Sequence, residues 1–268
     1  MQPYAIFMDI DGTLVDRTQI PTAETVAAIA KYQQAGHQFF IASGRPLFSA
    51  SVMAKRIGDN LNIICSNGSV TKIGPTVHNI HLTSQALSGI YAIAKRYDVR
   101  THFFTKTGVI FLDDPDANVS WDARNRIAGE DAKYNHVVHS ADALLQFETQ
   151  ITNGFAFCAD DTRRDAAKAA MAALADVDVS SSNHDNIEIT ARGINKAFAI
   201  KQVCQTMHIP LTHTIAFGDG DNDLQMLETV AHGVAMGNAN PTVAAAVCEH
   251  TLDVHHNGVA HYLQDFFH

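Results

Sequence analysis

The chain has 268 residues, of which 46% are hydrophobic, and its formal net charge is -9. This length can bury a large core and suggests two domains, or one domain with an insertion. The acidic balance argues against binding nucleic acid or an anionic membrane by general electrostatics. The N-terminal residues lack a secretory signal pattern, and no apolar run is long enough to span a membrane. We therefore expect a soluble, cytoplasmic protein without nucleic-acid or membrane partners.

The four cysteines, Cys65, Cys158, Cys204 and Cys248, lie far apart in the sequence. They form no CxxC pair and no short-spaced metal pattern. A chain of this size can bury a core large enough to be stable without disulfides. We expect the cysteines to be reduced and mostly buried.

The sequence predicts a parallel sheet with helical connections. Short apolar runs bounded by turn residues recur, and such runs are typical of strands buried on both faces. Between the first two runs, segment 21–36 has helical apolar spacing, with Pro21 at its start and Gly36 at its end. This alternation predicts an α/β domain with right-handed crossovers. The predicted strands are 4–8, 37–43, 62–66, 213–218 and 233–236.

The middle of the chain has a different pattern. Helical spacing at 84–97 and 162–175 occurs beside a strand pair that turns at 106–108. This combination predicts a smaller α+β domain inserted into the α/β domain. The predicted boundaries are 1–82 and 188–268 for the two parts of the core, and 83–187 for the insertion.

Three of the predicted core strands end in polar residues. Asp9 follows the first, Ser43 and Gly44 close the second, and Asp219 follows the strand 213–218. Ligands of parallel α/β sheets bind outside the carboxyl ends of the strands, so we expect one site. Asp223 adds a carboxylate, and two carboxylates about 4 Å apart repel by roughly 4 kcal/mol at an effective dielectric near 20. Such a cluster needs a cation or a proton, and oxygen ligands open to a phosphate suit Mg²⁺.

An EF-hand calcium loop is the main alternative for the acidic segment that begins at Asp219. The sixth position of such a loop is glycine and the twelfth is glutamate, but this chain has Leu224 and Val230 there. The glycine spacings of the Rossmann and Walker A motifs are also absent. Neither calcium binding by an EF-hand nor nucleotide binding by those motifs is expected.

Four segments resemble the motifs of the haloacid dehalogenase (HAD) superfamily. The stretches MGNANPTVAAAV and HNGVAHYL resemble its Cof-type, or IIB, phosphatase branch. The resemblance covers essentially the whole chain, with a departure at 195–197, where Asn-Lys-Ala replaces the usual Ser-Lys-Gly. It implies a Rossmann-like parallel sheet core with an inserted α+β cap domain. The four segments are DIDGT at 9–13, ASGR at 42–45, Lys196 in GINKAFAI, and GDGDND at 218–223.

The resemblance also implies site residues and a mechanism. Asp9 would be the nucleophile that forms an aspartyl-phosphate, and Asp11 would be the general acid and then the general base. Mg²⁺ would be bound by an Asp9 oxygen, the Asp11 backbone carbonyl and Asp219, with Asp223 in a supporting role. The residues implied to hold the phosphoryl group are Ser43, the Gly44 amide, Lys196 and the Asn222 side chain.

The implied activity is Mg²⁺-dependent hydrolysis of small phosphomonoesters, with sugar phosphates or related metabolites as the expected substrates. The insertion would act as a lid that helps to choose the leaving group. A phosphomutase or phosphotransferase of the same fold stays an alternative, as does a receiver-like switch that accepts phosphate on an aspartate. Receivers place no acid two residues after the nucleophile, so Asp11 and the insertion argue against the switch. The sequence leaves the oligomeric state open, with a monomer slightly favoured.

Several polar residues fit two interpretations equally well. Trp121, Arg124 and Arg126 of the insertion are compatible with facing the substrate, and also with an ordinary helix that carries exposed charges. For Arg45, a contact with the substrate or a loop and a structural ion pair are equally expected roles. Asp221 is assigned to a turn rather than to metal binding.

Overall fold

The computed structural model describes residues 2–58, 60–113, 135–182 and 185–268. Trp121, Arg124 and Arg126 therefore lie outside the described residues. Within these ranges the chain divides into two units, and the predicted boundaries at 82/83 and 187/188 stay predictions. Unit 1 comprises Met1–Gly44, Ala50–His78 and Asn195–His268, and unit 2 comprises Arg45–Ser49 and Asn79–Ile194.

Strands and helices alternate in the first and last parts of the chain. In the described residues, the strands are β1 (Ala5–Met8), β2 (Gln38–Ala42), β3 (Asn62–Cys65), β4 (Val70–Ile73), β5 (Thr76–Asn79), β6 (Arg100–Phe104), β7 (Val109–Leu112), β8 (His136–Val138), β9 (Asn153–Phe157), β10 (Val177–Ser180), β11 (Asn186–Ala191), β12 (Thr214–Gly218), β13 (His232–Ala235) and β14 (Glu249–His250). The helices are α1 (Ala23–Gln34), α2 (Leu47–Ile57), α3 (Ser84–Tyr97), α4 (Ala141–Leu145), α5 (Asp161–Ala172), α6 (Lys196–Thr206), α7 (Leu224–Thr229), α8 (Pro241–Ala246) and α9 (Gly258–Phe266).

Unit 1 is organised around a sheet whose described strands follow the order β14-β13-β12-β1-β2-β3-β4-β5. The strands from β14 to β3 run parallel, whereas β4 is antiparallel to β3. All four side chains of β1 are fully buried, as predicted for a strand covered on both faces. Met8 is in register with Phe217 of β12 and Ile41 of β2. The residues after β1, β2 and β12 therefore emerge at the same edge of the sheet.

Helix α1 confirms the helix predicted at 21–36, but it is shorter than that segment. Thr22 is the N-cap, and its side-chain oxygen accepts a hydrogen bond from the Thr25 amide. The capping hydroxyl satisfies one of the free N–H groups of the first turn, so the helix begins at Ala23 and Pro21 lies outside it.

Aromatic rings fill the other edge of the sheet in unit 1, before β1 and β2 begin. The Tyr4 ring lies 5.4 Å from Phe266 and 5.6 Å from Phe267, both in edge-to-face geometry. The His37 ring lies 4.2 Å from Phe267, and His37 Nδ1 accepts a hydrogen bond of 3.1 Å from the Tyr4 amide. We call Tyr4, Tyr32, His37, Phe266 and Phe267 the aromatic edge.

Unit 2 has a mixed sheet whose described strands follow the order β10-β11-β9-β6-β7-β8. The predicted hairpin is confirmed, because β6 and β7 pair antiparallel with Phe104 opposite Val109. A hydrophobic core of helix and strand residues, including Leu87, Phe103 and Ile189, stabilises the unit. The combination of a parallel α/β sheet and an α+β unit confirms the predicted fold class.

Two further observations concern the whole described chain. None of its helices is both long enough and apolar enough to cross a membrane. All four cysteines are free, and Cys65, Cys158 and Cys204 are buried while Cys248 is exposed. The prediction of mostly buried, unpaired cysteines is therefore confirmed.

Candidate active site

Three carboxylates from two distant segments of unit 1 meet at the carboxyl edge of the sheet. Asp9 directly follows β1, and its amide donates to the Phe217 carbonyl at 3.1 Å, which extends the ladder between β1 and β12 by one residue. Asp219 directly follows β12. One oxygen each of Asp9, Asp219 and Asp223 lies within 4.8 Å of the others. We call these three residues the carboxylate cluster.

Lys196 is the first residue of α6, and its side chain enters the carboxylate cluster. The Asn195 side chain caps the helix by accepting from the Phe198 amide at 2.8 Å, which fixes the first turn. Lys196 Nζ lies 2.7 Å from Asp9 Oδ1 and 2.5 Å from Asp223 Oδ1. Only 1% of the Lys196 side chain is exposed, so this ammonium is a buried counter-ion rather than a solvated surface charge.

The buried charges of the site do not balance. Burial raises the pKa of Asp9 well above its usual value; Lys196 opposes this shift, whereas Asp223, Asp219 and Asp11 add to it. Burial and then the neighbouring Asp223 raise the pKa of Asp219 to about 7. Burial alone would lower the pKa of Lys196, but Asp223 and Asp9 outweigh it and hold this pKa above its usual value. One ammonium thus faces a surplus of carboxylates, and a bound cation would favour their ionised form.

Asp223 is held by hydrogen bonds on both of its oxygens. Oδ2 accepts from the amides of Asp219 at 3.0 Å and Gly220 at 3.1 Å, while Oδ1 accepts from Lys196. These contacts fix the loop that carries Asp219 and the position of the ammonium. Asp223 therefore has the geometry of a supporting residue.

Gly12 and Gly218 let the backbone approach the carboxylates closely. A Cβ atom on Gly12 would lie 2.1 Å from Asp219 Oδ2, and the φ of Gly12 is +86°. A Cβ atom on Gly218 would lie 2.5 Å from the Cβ of Asp223. A side chain at either position would displace a member of the cluster, which gives a physical reason for glycine in DIDGT and in GDGDND.

Asp11 lies apart from the carboxylate cluster, with an exposed side chain. Its Oδ1 accepts a hydrogen bond of 2.9 Å from Gln19 Nε2. Among the described residues, the only group of three or more potential metal-ligating side chains is the carboxylate cluster, and Asp11 is not a member. This is compatible with the expectation that Asp11 contributes its backbone carbonyl rather than its side chain to a metal.

The candidate phosphate-binding residues other than Lys196 come from two loops at the same edge, after β2 and after β12. Ser43 is buried, its amide donates to the Ile64 carbonyl at 3.0 Å, and Gly44 follows it. Asn222 Nδ2 lies 3.4 Å from Asn67 Oδ1. Asp221 accepts a hydrogen bond from the Asn240 side chain and begins the short 3-10 helix Asp221–Asp223, which fits its assignment to a turn.

Three further residues support the site, and their roles were not predicted from the sequence. Thr13 Oγ1 donates to Asp219 Oδ1 at 3.1 Å, and Asn238 Nδ2 lies 2.8 Å from the Gly12 carbonyl oxygen and 3.3 Å from Asp219 Oδ2. Asn67 has a left-handed backbone, with φ of 50°, and its amide donates to the Ser43 carbonyl. The Asn-Gly pair at 67–68, one residue after the end of β3, was a detectable signal, because Asn-Gly is typical of turns and this turn lies at the carboxyl edge. No comparable sequence signal shows that Asn238 reaches Asp219.

A family model for haloacid dehalogenase-like hydrolases matches residues 6–263. The chain belongs to this family. Membership of the haloacid dehalogenase-like family confirms the predicted family, the predicted fold and the assignment as a HAD-type phosphatase.

Relatives of similar length support this assignment. The chain is 27% identical to 5-amino-6-(5-phospho-D-ribitylamino)uracil phosphatase YitU of Bacillus subtilis (strain 168), with coverage of 99% of this chain and 98% of that protein. It resembles the solved structure of a haloacid dehalogenase-like hydrolase from B. subtilis, with a TM-score of 0.85, 23% identity and coverage of 97% and 99%. The subclass IIB sugar phosphatase BT4131 gives a TM-score of 0.81 at 22% identity, with coverage of 98% and 99%.

Proposed function

We propose that this protein is a Mg²⁺-dependent phosphatase that hydrolyses small phosphomonoesters, with sugar phosphates as the main substrate class, through an aspartyl-phosphate on Asp9. The observation that carries the proposal is the contact of buried Lys196 with Asp9 and Asp223, beside Asp219, at the carboxyl edge of the sheet. The substrate class is supported by the names of similar proteins, a phosphatase of a phosphoribityl compound and a sugar phosphatase.

Asp9 has the position of a nucleophile. It directly follows β1 at the carboxyl edge of the sheet, and the Lys196 ammonium donates a hydrogen bond to its Oδ1. Attack of an Asp9 oxygen on the phosphorus would form the aspartyl-phosphate and break the bond to the leaving oxygen. Lys196 would also contact the phosphoryl oxygens and stabilise the charge on them in the transition state.

We assign the acid–base role to Asp11. Its exposed side chain, two residues beyond Asp9, can reach the leaving oxygen and donate a proton to the departing alcohol. Water then attacks the phosphorus, Asp11 takes a proton from that water, and the bond between Asp9 and phosphorus breaks. This second step restores both carboxyl groups and releases inorganic phosphate.

The donor set fits a hard divalent cation. It consists of carboxylate oxygens of Asp9 and Asp219 and, as an additional ligand, the Asp11 backbone carbonyl, with Asp223 supporting from behind. Oxygen ligands of this kind, few in number and next to a phosphate site, suit Mg²⁺. When bound, Mg²⁺ would offset the excess negative charge and polarise the phosphoryl oxygens. The Ser43 hydroxyl, the Gly44 amide and the Asn222 side chain are the proposed neutral donors to the phosphoryl group.

The test is phosphate release from a panel of phosphorylated metabolites, measured with Mg²⁺ and with a chelator. We expect release that depends on Mg²⁺ and that falls by at least about 10⁴-fold in Asp9→Asn, because the amide is a far weaker nucleophile. Asp265→Asn, which changes an exposed acid on α9, is the control and should keep full activity. Full activity with chelator would contradict the metal dependence, and full activity of Asp9→Asn would contradict the mechanism. Activation by a bisphosphorylated sugar would indicate a phosphomutase instead.

A further inference from the structure

Gln19 holds the side chain of Asp11. Its Nε2 donates to Asp11 Oδ1 at 2.9 Å and to the Asp16 carbonyl oxygen at 3.2 Å. The reaction proposed above does not involve Gln19, and no family motif used in the sequence analysis includes it. An NH₂ group with both hydrogens directed at acceptors has a defined orientation. Gln19 therefore presents a fixed donor to the carboxyl group of the acid–base residue.

The backbone of Gln19 is in the left-handed region, with φ of 61°. Gly, Asn and Asp adopt this conformation more easily than Gln does. The surroundings hold it in place: the Gln19 amide donates to the Asp16 carbonyl at 3.1 Å, and the Gln19 carbonyl accepts from the Arg56 guanidinium at 2.9 Å. Asp16 Oδ1 in turn accepts from the Thr18 amide at 2.8 Å. The loop conformation alone does not favour glutamine, whereas the reach of the glutamine side chain to Asp11 does.

The chemical consequence concerns the orientation of Asp11. An exposed aspartate has several staggered rotamers available, and only some of them direct a carboxyl oxygen at a substrate. The bond from Gln19 to Oδ1 restricts the rotation of the Asp11 carboxyl group, and so restricts the direction in which it can exchange a proton with the leaving group and with water. An amide N–H donates strongly to a carboxylate and more weakly to the carbonyl oxygen of the neutral acid, so the contact can persist through both steps.

We propose that Gln19 is a positioning residue that keeps Asp11 aligned for proton transfer to the leaving group. The inference rests on the proposed function for the role of Asp11, whereas the contact between Gln19 and Asp11 is a feature of the structure. Misalignment of an acid slows reactions that need a proton on the leaving oxygen and hardly affects those that do not.

Two variants separate this role from a structural one. Gln19→Gly removes the side chain and adopts the left-handed backbone without strain. Gln19→Asn keeps an amide on a side chain one methylene shorter and also favours this backbone. If Gln19 only shaped the loop, both variants would be as stable and as active as the wild type. Positioning instead predicts that both are stable and that both lose acid catalysis.

The measurement compares two aryl esters of similar shape with Mg²⁺ present. Phenyl phosphate has a poor leaving group, with a pKa like that of tyrosine, about 10, and p-nitrophenyl phosphate has a good one. We expect Gln19→Gly and Gln19→Asn to lower kcat for phenyl phosphate by about tenfold and kcat for p-nitrophenyl phosphate by less than about twofold, with KM unchanged. Ile20→Ala, which truncates an exposed neighbour in the same loop, is the control and should leave both rates unchanged. Equal losses on the two esters, or no loss on either, would overturn the proposal.

A second readout does not depend on activity. A crystal structure of Gln19→Gly should show the Asp11 side chain in more than one rotamer, whereas the wild type should show one. A single unchanged rotamer in Gln19→Gly would overturn the positioning role even if the protein hydrolysed no ester. Absence of wild-type hydrolysis combined with released Asp11 rotamers would instead contradict the proposed function and leave the contact confirmed.

Discussion

The two edges of the sheet in unit 1 differ in what they bury. At the carboxyl edge, Asp9 and Lys196 are buried charges in a cluster with too many carboxylates, which costs stability. At the aromatic edge, Phe267 contacts the Tyr4 ring edge-to-face and the His37 ring at a tilt, and such ring contacts stabilise a fold. The same strands, β1 and β2, connect both edges. The comparison indicates that one end of these strands is specialised for chemistry, while the other helps to hold them in place.

Removal of the buried Lys196 ammonium should have the largest effect on the activity and stability of the carboxyl edge. We expect Lys196→Met to lower kcat/KM by at least about 10³-fold, because the variant loses the proposed donor to the phosphoryl oxygens. It should also lower the free energy of unfolding by roughly 3–5 kcal/mol without added metal, because buried carboxylates lose their counter-ion. Mg²⁺ should restore part of this stability. Denaturant unfolding with and without Mg²⁺ measures the loss of stability and its partial recovery.

Lys201→Met is the matched control for that experiment, since Lys201 is exposed on the same helix, α6. It should change neither activity nor stability measurably. If Lys196→Met were as stable as Lys201→Met, Lys196 would not be the charge that balances the cluster.

A pair of glycine variants compares the two edges directly. Gly12 and Gly36 both have positive φ, +86° and +99°, but a Cβ on Gly12 would meet Asp219 whereas one on Gly36 would meet nothing within 4 Å. Gly12→Ala should cost about 1–3 kcal/mol of stability from backbone strain and lower kcat/KM by about 100-fold, because Asp219 is displaced. Gly36→Ala should show a strain cost of similar size with unchanged kcat/KM. Retention of activity in Gly12→Ala would show that the position of Asp219 is not critical.

The smallest expected effect is a pH dependence of stability at the aromatic edge. Burial lowers the pKa of His37, and its Nδ1 accepts from the Tyr4 amide, which a protonated ring cannot do. A lowered pKa means that the unfolded state binds more protons than the folded state below about pH 6.5. The His37 contribution to stability is therefore complete above that pH and decreases as the pH falls towards the lowered pKa.

Thermal unfolding of wild type and His37→Gln between pH 5 and pH 8 tests this dependence. The wild type should lose more stability than His37→Gln on acidification, because glutamine does not titrate. A wild-type curve parallel to that of the variant over the whole range would exclude His37 as the source.

Much of the carboxyl edge could be predicted because its residues lie directly at strand ends. A buried strand followed by a polar residue identified Asp9, Ser43 and Asp219, and the parallel arrangement of the strands required them to meet. The burial of Lys196 was harder to predict, because the local sequence around a lysine at the start of a helix does not show whether its side chain is buried. Lys196 was selected by the family resemblance. The Asn195 side chain caps α6, which explains why the helix begins at Lys196.

The contacts that were not predicted depend on the direction of side chains that come from irregular loops or from residues far apart in the sequence. Asn238 reaches Asp219 from a different loop, and Gln19 turns back to Asp11 because its own backbone is left-handed. The aromatic edge depends on Phe267 near the end of the chain packing beside His37, a tertiary contact that local periodicity does not encode. The role of unit 2 in substrate choice and the domain boundaries stay predictions.

The position of β1 between β2 and β12 has a consequence for synthesis on the ribosome. Because β12 follows unit 2 in the sequence, the apolar strand β1 lacks one of its two neighbours until the chain has been synthesised as far as Gly218. Until then, one side of β1 is an unpaired edge that another nascent chain could join. Chaperone dependence and aggregation during translation should therefore be governed by the delay between these two strands, and a stalled chain that ends before β12 should be the most aggregation-prone intermediate.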